Sequence, residues 1–425
     1  MTSLTLLIWI VLGVAIQLAL WLAIGFWRHW REYLALRSGK PTEEGTGISS
    51  LPELAEPVAA AAWTGFRSFK VVRKVVEDAD GAICSFYLAP EDGQPLPGFL
   101  PGQFLTFRFD VPAAAGGNEQ IVRCYSLSDA PRPDHYRISV KRVPPPAGSQ
   151  LPPGRSSNFL HDHVDAGSVL QVRAPGGHFH IERSDAPVVL IAGGIGITPM
   201  LSMLNWCLAE QPGREVWLFY GVRNSREPIM KAQLEALAAA HPNIHLQLCF
   251  SNPLPEDVAG RDYHQSGRVD VALLRRLLPL KPYHFYICGP TPMMESLVHG
   301  LEDWGVPDGR IYFEAFGPAS IKRKNAAAPA RDDAAGSGSG SNIVVTFAKS
   351  GKTLAWQPAA GSLLEFAESN GIAVDSGCRA GCCGTCQTTI RSGEIAYAQP
   401  PDFDPEPGAC LLCVCKPKTS VTLEA

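Results

Sequence analysis

The sequence has little to offer a nucleic acid. Its formal net charge is only −4 and 18% of its 425 residues are charged. No run of lysine and arginine is long enough to leave a phosphate-binding footprint. Cysteine is also missing where a disulfide scaffold would need it, since such scaffolds are small, secreted and evenly bridged. Five of the 12 cysteines stand singly (Cys84, Cys124, Cys207, Cys249 and Cys288) and the other seven crowd into the last fifty residues. A local cluster on an otherwise reduced-type chain reads as a metal site. There is no GxGxxG fingerprint, no Ser/His/Asp pattern and no internal repeat.

No lysine or arginine precedes Arg28, and Leu4 to Trp27 carries no charge. That run is long enough to cross a hydrocarbon core of about 30 Å. Arg28, His29, Arg31, Arg37 and Lys40 follow it. The positive-inside rule then predicts a single-pass anchor over 4–27 in the inner (cytoplasmic) membrane, with the catalytic domains in the cytoplasm. A secretory signal would show a basic start and a small-residue cleavage site, and neither is present.

A Pro/Ala/Glu-rich stretch within 28–64 reads as a juxtamembrane tether. Over 65–182, short alternating runs separated by Pro/Gly turns predict an antiparallel β-barrel. Over 183–317, apolar strand runs alternate with helical patterns, the rhythm of a doubly wound α/β domain. Residues 318–341 contain GSGSGS and predict a flexible linker. The remainder, 342–425, predicts a small α+β domain. The fold class is therefore multidomain: a transmembrane helix, a β-barrel, a doubly wound nucleotide domain and an α+β unit. His178 and His180 would share one face if 178–180 were a strand. With no cysteine or carboxylate to complete a site, they, like His161 and His163, read as packing or surface residues.

Cys378, Cys383 and Cys386 stand in C-x4-C-x2-C, the plant-type [2Fe–2S] spacing. A two-iron, sulfide-bridged centre needs four thiolates, three of them delivered by one tight loop. Gly377, Gly381 and Gly384 allow that loop its backbone. Structural zinc generally uses C-x2-C pairs at both ends. The fourth ligand comes from Cys410, Cys413 or Cys415. The segment resembles the last strand of plant-type ferredoxins, a β-grasp family, where proline follows the ligand by four residues. That resemblance points to Cys413, ahead of Pro417. Cys382 sits where such ferredoxins usually have serine or alanine, and reads as a spectator beside the cluster.

Three further motifs lie in the predicted contexts. Arg123-Cys-Tyr125-Ser126 falls on a barrel strand. Gly154-Arg-Ser-Ser157 opens a short helix whose amides can meet a phosphate. Gly193-Gly194-Ile-Gly196-Ile-Thr198 and Cys288-Gly-Pro both end strands before helices, at the sheet edge where open α/β folds bind ligands.

Residues 66–316 resemble the ferredoxin–NADP⁺ reductase superfamily, in particular the reductase portion of bacterial flavohaemoglobins. RCYSLS, YRISVKR, SNFLHD, GGIGITPM, CGPTPMM and YFEAFGP carry the similarity. No globin precedes them in this sequence, so nitric oxide dioxygenase activity is not implied. A C-terminal ferredoxin on such a reductase is similar to bacterial oxygenase reductases. The resemblance implies that Arg123 holds a flavin phosphate, Tyr125 packs on the isoalloxazine and Ser126 reaches its N5 edge. Gly154 and Ser157 imply FAD rather than FMN. Gly193, Gly194, Gly196 and Thr198 would border the nucleotide pyrophosphate, and Cys288 the nicotinamide, with Glu314 and Phe316 on the flavin's other flank. Ser126, Cys288 and Glu314 are the implied catalytic residues. Arg223 and Arg226 lie near where a 2′-phosphate would be but form no obvious clamp, so the resemblance favours NADH, with NADPH possible. Cys124 has no assigned role.

The expected function is thus an NAD(P)H-dependent reductase. Hydride passes to FAD, and single electrons pass through [2Fe–2S] to a terminal oxygenase, hydroxylase or desaturase at the bilayer. An NADH:quinone reductase and a non-enzymatic tethered ferredoxin are the alternatives.

Overall fold

The computed structural model describes residues 63–113, 116–145, 148, 152–316, 343–357, 361–397, 401 and 403–425, together with Gln17. The expected membrane segment 4–27 lies outside the described residues except for Gln17, and the linker 318–341 lies outside them altogether. Among the described residues, no helix is long and apolar enough to cross a membrane.

The first body is a barrel of β1 (Arg67–Val76), β2 (Ile83–Pro90), β3 (Phe104–Pro112), β4 (Asn118–Ser126), β5 (Tyr136–Lys141) and β6 (Val169–Val172). The strands run antiparallel in the order β4-β3-β6-β1-β2-β5. A Leu127↔Ile138 bridge and a 2.8 Å bond from Ser128 N–H to Arg137 C=O join the two ends of that order. Side chains alternate across a strand, so Phe107 and Phe109 share one face and stack with centroids 5.7 Å apart. With Phe69, Phe86 and Tyr136 they fill the barrel. Helix α1 (Arg155–His163) covers one side. The segment 178–180 lies outside any strand, so His178 and His180 share no strand face.

The second body is a wholly parallel sheet. It comprises β7 (Val188–Gly193), β8 (Val216–Val222), β9 (Ile244–Phe250), β10 (Gln265–Ser266), β11 (His284–Cys288) and β12 (Ile311–Glu314), in the order β10-β9-β8-β7-β11-β12. Helices α2 (Ile197–Glu210), α3 (Lys231–Ala240), α4 (Val271–Leu277) and α5 (Thr291–Asp303) connect these strands. Every residue of β7 is buried, as in sheets covered on both faces. Val188, Leu190 and Ala192 belong to one core, Val189 and Ile191 to the other. Helix α2 starts two residues before Pro199 because proline in a first turn gives up an amide that has no partner there anyway. The strand order reverses between β7 and β11, and ligands of open α/β sheets bind beyond the strand ends at such a point.

The third body has β13 (Val344–Phe347), β14 (Lys352–Ala355), α6 (Leu363–Ser369), β15 (Gln387–Ser392), β16 (Ile395–Tyr397), β17 (Ala409–Leu411), β18 (Cys415–Pro417) and β19 (Val421–Leu423). Five strands form a mixed sheet, β14-β13-β19-β15-β17, in which β13 and β19 run parallel. Ser362 and Glu365 close a capping box at the start of α6, satisfying two of its otherwise unbonded amides. Leu363, Leu364, Phe366 and Ala367 are buried on the sheet. The expected α+β architecture is present.

Candidate functional site

Strand β4 carries the first set of expected residues. Tyr125 lies edge-on to Phe107, with centroids 5.8 Å apart, and its hydroxyl donates to Ser156 Oγ at 2.9 Å. Burial pushes the Tyr125 hydroxyl up to about 12, so it keeps its proton at neutral pH. Ser126 ends the strand, and its hydroxyl donates to Glu314 Oε2 at 3.3 Å. The Gly154 turn is tight: a Cβ there would sit 2.8 Å from Val143 Cβ and 2.9 Å from Ser157 Oγ. Ser157 Oγ accepts the Val143 amide at 3.2 Å and so braces the turn itself. The first turn of α1 contains no acidic side chain, leaving its amides and the helix dipole to attract an anion. The first turn of α1, uncapped by any side chain and free of acidic residues, lies beside Tyr125 and Ser126, and that placement fits a flavin with its phosphates.

Across the sheet edge, the GGIG and CGP turns are packed back to back. Because β7 and β11 pair Ala192 with Cys288, Gly196 lies against the following turn. A Cβ on it would meet Cys288 C=O at 2.2 Å and Gly289 N at 2.8 Å. Above Gly194, with φ +53°, the space is open. One glycine therefore lets the turns touch, and the other leaves room for a ligand at the start of α2. Thr198 is buried and its hydroxyl bonds back to Ile195 C=O at 3.1 Å. Cys288 is fully buried. Burial, then the Glu314 charge, push its thiol well above the usual range, so it is a neutral thiol here. Phe316 is 47% exposed. Arg223 is held by Glu227 and Arg226 by Asp80, so neither stands as a ready phosphate clamp.

The cluster loop follows the expected pattern. The amides of Ala380, Cys382 and Cys383 donate to Cys378 Sγ at 3.4, 3.3 and 3.3 Å, and Cys378 N–H donates to Cys383 Sγ at 3.3 Å. Gly384 has φ +70°, and a Cβ on it would strike the Phe403 ring at 2.6 Å. Cys378 is within hydrogen-bonding reach of Cys124, Cys382 and Cys383, and Cys386 of Cys413. Cys410 and Cys415 pair with each other instead. Three loop cysteines, two of them with backbone amides aimed at their sulfurs, and Cys413 within reach of Cys386 form a donor set that fits a two-iron cluster. Among the described residues no three His, Cys, Asp or Glu side chains gather as a single-ion site.

The seating of this loop could not be read from sequence. Arg123 Nη1 donates to Gly377 C=O at 2.9 Å and to Val122 C=O at 2.7 Å. Arg173 Nη1 donates to Cys383 C=O at 2.8 Å. Cys382 Sγ lies 3.1 Å from Cys124 Sγ, and His178 Nε2 lies 3.6 Å from Asp404 Oδ1. The cluster loop thus rests on the strand that carries the RCYS motif. The one available signal was a coincidence of unusual cysteines, Cys124 inside the flavin motif and Cys382 inside the cluster motif. Arg173 had no signal at all.

Comparison with known proteins agrees with this layout. Residues 68–181 match an oxidoreductase FAD-binding domain, 190–299 an oxidoreductase NAD-binding domain and 345–418 a 2Fe-2S iron-sulfur cluster binding domain. The FAD/NAD-binding domain of nitric oxide dioxygenase from Vibrio cholerae is 32% identical and is covered in full, with a TM-score of 0.52 over 60% of this chain. The chain belongs to the FAD- and NAD-binding oxidoreductases.

Phthalate dioxygenase reductase, described as a modular structure for electron transfer from pyridine nucleotides to [2Fe-2S], is 27% identical. The match covers 85% of this chain and 98% of that one, with a TM-score of 0.51. Flavohemoproteins of Halalkalibacterium halodurans and Bordetella pertussis are 40% and 43% identical over 262 and 261 residues. The chain spans 62% of the length of those relatives. FAD, NAD and [2Fe–2S] are thus the cofactors of this oxidoreductase.

Proposed function

We propose that this chain takes a hydride from NAD(P)H and delivers single electrons, through its own ferredoxin-type domain, to a protein acceptor such as an oxygenase, hydroxylase or desaturase. Bound FAD supplies the change from two-electron to one-electron chemistry, and the cluster carries one electron at a time. The residues of the chain supply placement. Arg123 and the amides of α1 hold the flavin phosphates, Tyr125 and Ser126 orient the ring, and the open space over Gly194 receives the nucleotide. Ser126, Cys288 and Glu314 line the place where nicotinamide and flavin meet, and the thiol and hydroxyl there exchange no electrons themselves. Cys378, Cys383, Cys386 and Cys413 hold the iron.

The contact of the cluster loop with β4 carries this reading, since it brings iron ligands and flavin strand together within one chain. The modular relative, whose name couples pyridine nucleotides to [2Fe-2S], supports it. NADH is the favoured donor, because both arginines near the ribose region are occupied by carboxylates. Residues 4–27 anchor the chain in the inner membrane and keep the catalytic domains in the cytoplasm, close to a membrane-embedded acceptor; the uncharged run and its basic flank support this.

Anaerobic mixing of the loaded protein with NADH or NADPH tests the electron route. The flavin absorbance should bleach first, cluster reduction should follow, and cytochrome c should then be reduced. A cluster that stays oxidised beside a bleached flavin overturns the route. Fractionation of cells tests the anchor: the full chain should sediment with membranes, and the chain lacking 1–27 should not.

A further inference from the structure

Arg173 follows the last residue of β6 and is fixed at both ends. Its amide donates to Thr106 C=O on β3 at 2.8 Å, and its guanidinium donates to the carbonyl of Cys383, a cluster ligand, at 2.8 Å. The guanidinium carbon lies 4.8 Å from the centre of the Phe66 ring, while Arg108 lies 4.4 Å from the same ring. A planar guanidinium stacked on an aromatic and aimed at a carbonyl is held in orientation as well as in place. Beside it, Cys124 Sγ lies 3.4 Å from Thr106 Oγ1 and 3.1 Å from Cys382 Sγ. Neither cysteine belongs to the four ligands, so both keep free thiols when the cluster is bound.

We propose that Arg173 is a positioning residue that docks the cluster loop on the flavin barrel and raises the cluster's reduction potential while the loop is docked. The inference rests on the electron route above. Reduction adds negative charge to the cluster, and a fixed cation on a ligand's carbonyl favours the reduced form; net charge and hydrogen bonding are established controls on such potentials. The loop is thereby a better electron acceptor when seated beside the flavin than when it has left.

The test uses the full chain loaded with FAD and cluster. Dibromobimane, which bridges neighbouring thiols, should cross-link Cys124 to Cys382 in the oxidised protein, read by peptide mass spectrometry without turnover. In Arg173→Ala the cross-link yield should fall about tenfold, the factor associated with losing one charge-assisted hydrogen bond. The cluster potential should also fall, and cluster reduction after flavin bleaching should slow about tenfold. Arg173→Lys, which keeps the charge but only as a point donor, should restore the potential more fully than the cross-link.

Should the alanine variant lose its fold, Arg173→Gln tests the same two changes. Cross-linking and potential both unchanged in a folded variant overturn the proposal, as does a loaded parent protein that gives no cross-link. A parent that cross-links, with a cluster that the bleached flavin fails to reduce, keeps the docking role and removes the electron route instead.

Discussion

Ser126 Oγ lies 3.3 Å from Glu314 Oε2, joining the last residue of β4 in the barrel to the last residue of β12 in the nucleotide domain. The β11–β12 register sets Cys288 beside Glu314, so the three expected catalytic residues meet at one seam. They share no motif, and Ser126 and Glu314 stand 188 residues apart. A carboxylate held there orients the Ser126 hydroxyl, which is proposed to face the flavin edge. Glu314→Gln should slow flavin reduction by NADH about tenfold or more, the cost of loosening a reactive geometry. Nucleotide affinity should change much less. Stopped-flow bleaching over a range of NADH concentrations separates the two, and a change in affinity alone would move Glu314 out of the reaction.

The fourth ligand to the cluster is proposed to be Cys413 rather than Cys410 or Cys415, and serine variants test the choice. Cys413 is within reach of Cys386, whereas Cys410 and Cys415 are fully buried in the domain core. Cys413→Ser should therefore lose most of the visible absorbance and the bound iron. Cys410→Ser and Cys415→Ser should retain both and lose some stability. Iron analysis with the visible spectrum checks all three, and an iron-free Cys415→Ser variant with an intact Cys413→Ser cluster would reverse the assignment.

Much of this was legible because periodicity and turn chemistry are local. The all-apolar β7 and the alternating barrel strands followed from which faces are covered. The docking of the loop was invisible in the sequence. Arg123 reaches Gly377, and Arg173 reaches Cys383, across more than two hundred residues. Both acceptors are backbone carbonyls, which every residue type possesses.

Gly196 stands where two turns touch. A Cβ would approach Cys288 C=O to 2.2 Å, and neither backbone can yield without shifting a central strand. Gly196→Ala should destabilise the nucleotide domain by about 1–3 kcal/mol, the usual range for overpacking, and raise the KM for NADH by displacing the turn that precedes α2. Gly194→Ala meets no atom within 4 Å but carries φ +53°, so its cost is backbone strain of about 1 kcal/mol. Thermal unfolding of the two variants should rank them in that order, and the reverse ranking would show that the turns can part.

Asp129 joins the barrel to α2. Its carboxylate accepts the Asn205 amide at 2.7 Å, its backbone carbonyl accepts the Ser202 hydroxyl at 2.8 Å, and Arg132 and Arg137 lie 3.2 and 3.8 Å away. Burial alone would raise this carboxyl, but Arg137, Asn205, Arg132 and the Ala130 amide outweigh it and hold it below the usual range. A carboxyl lowered in the folded state contributes stability above its unfolded value of about 3.9. That contribution is lost as pH falls through the folded value. Asp129→Asn should cost about 2–3 kcal/mol at pH 7, as expected for hydrogen bonds to a charged group. The gap between variant and parent should narrow below about pH 4, where the parent protonates too. Thermal unfolding of both proteins from pH 7 downward measures it, and a gap that stays constant to pH 3 would mean that the charge of Asp129 contributes nothing to the joint.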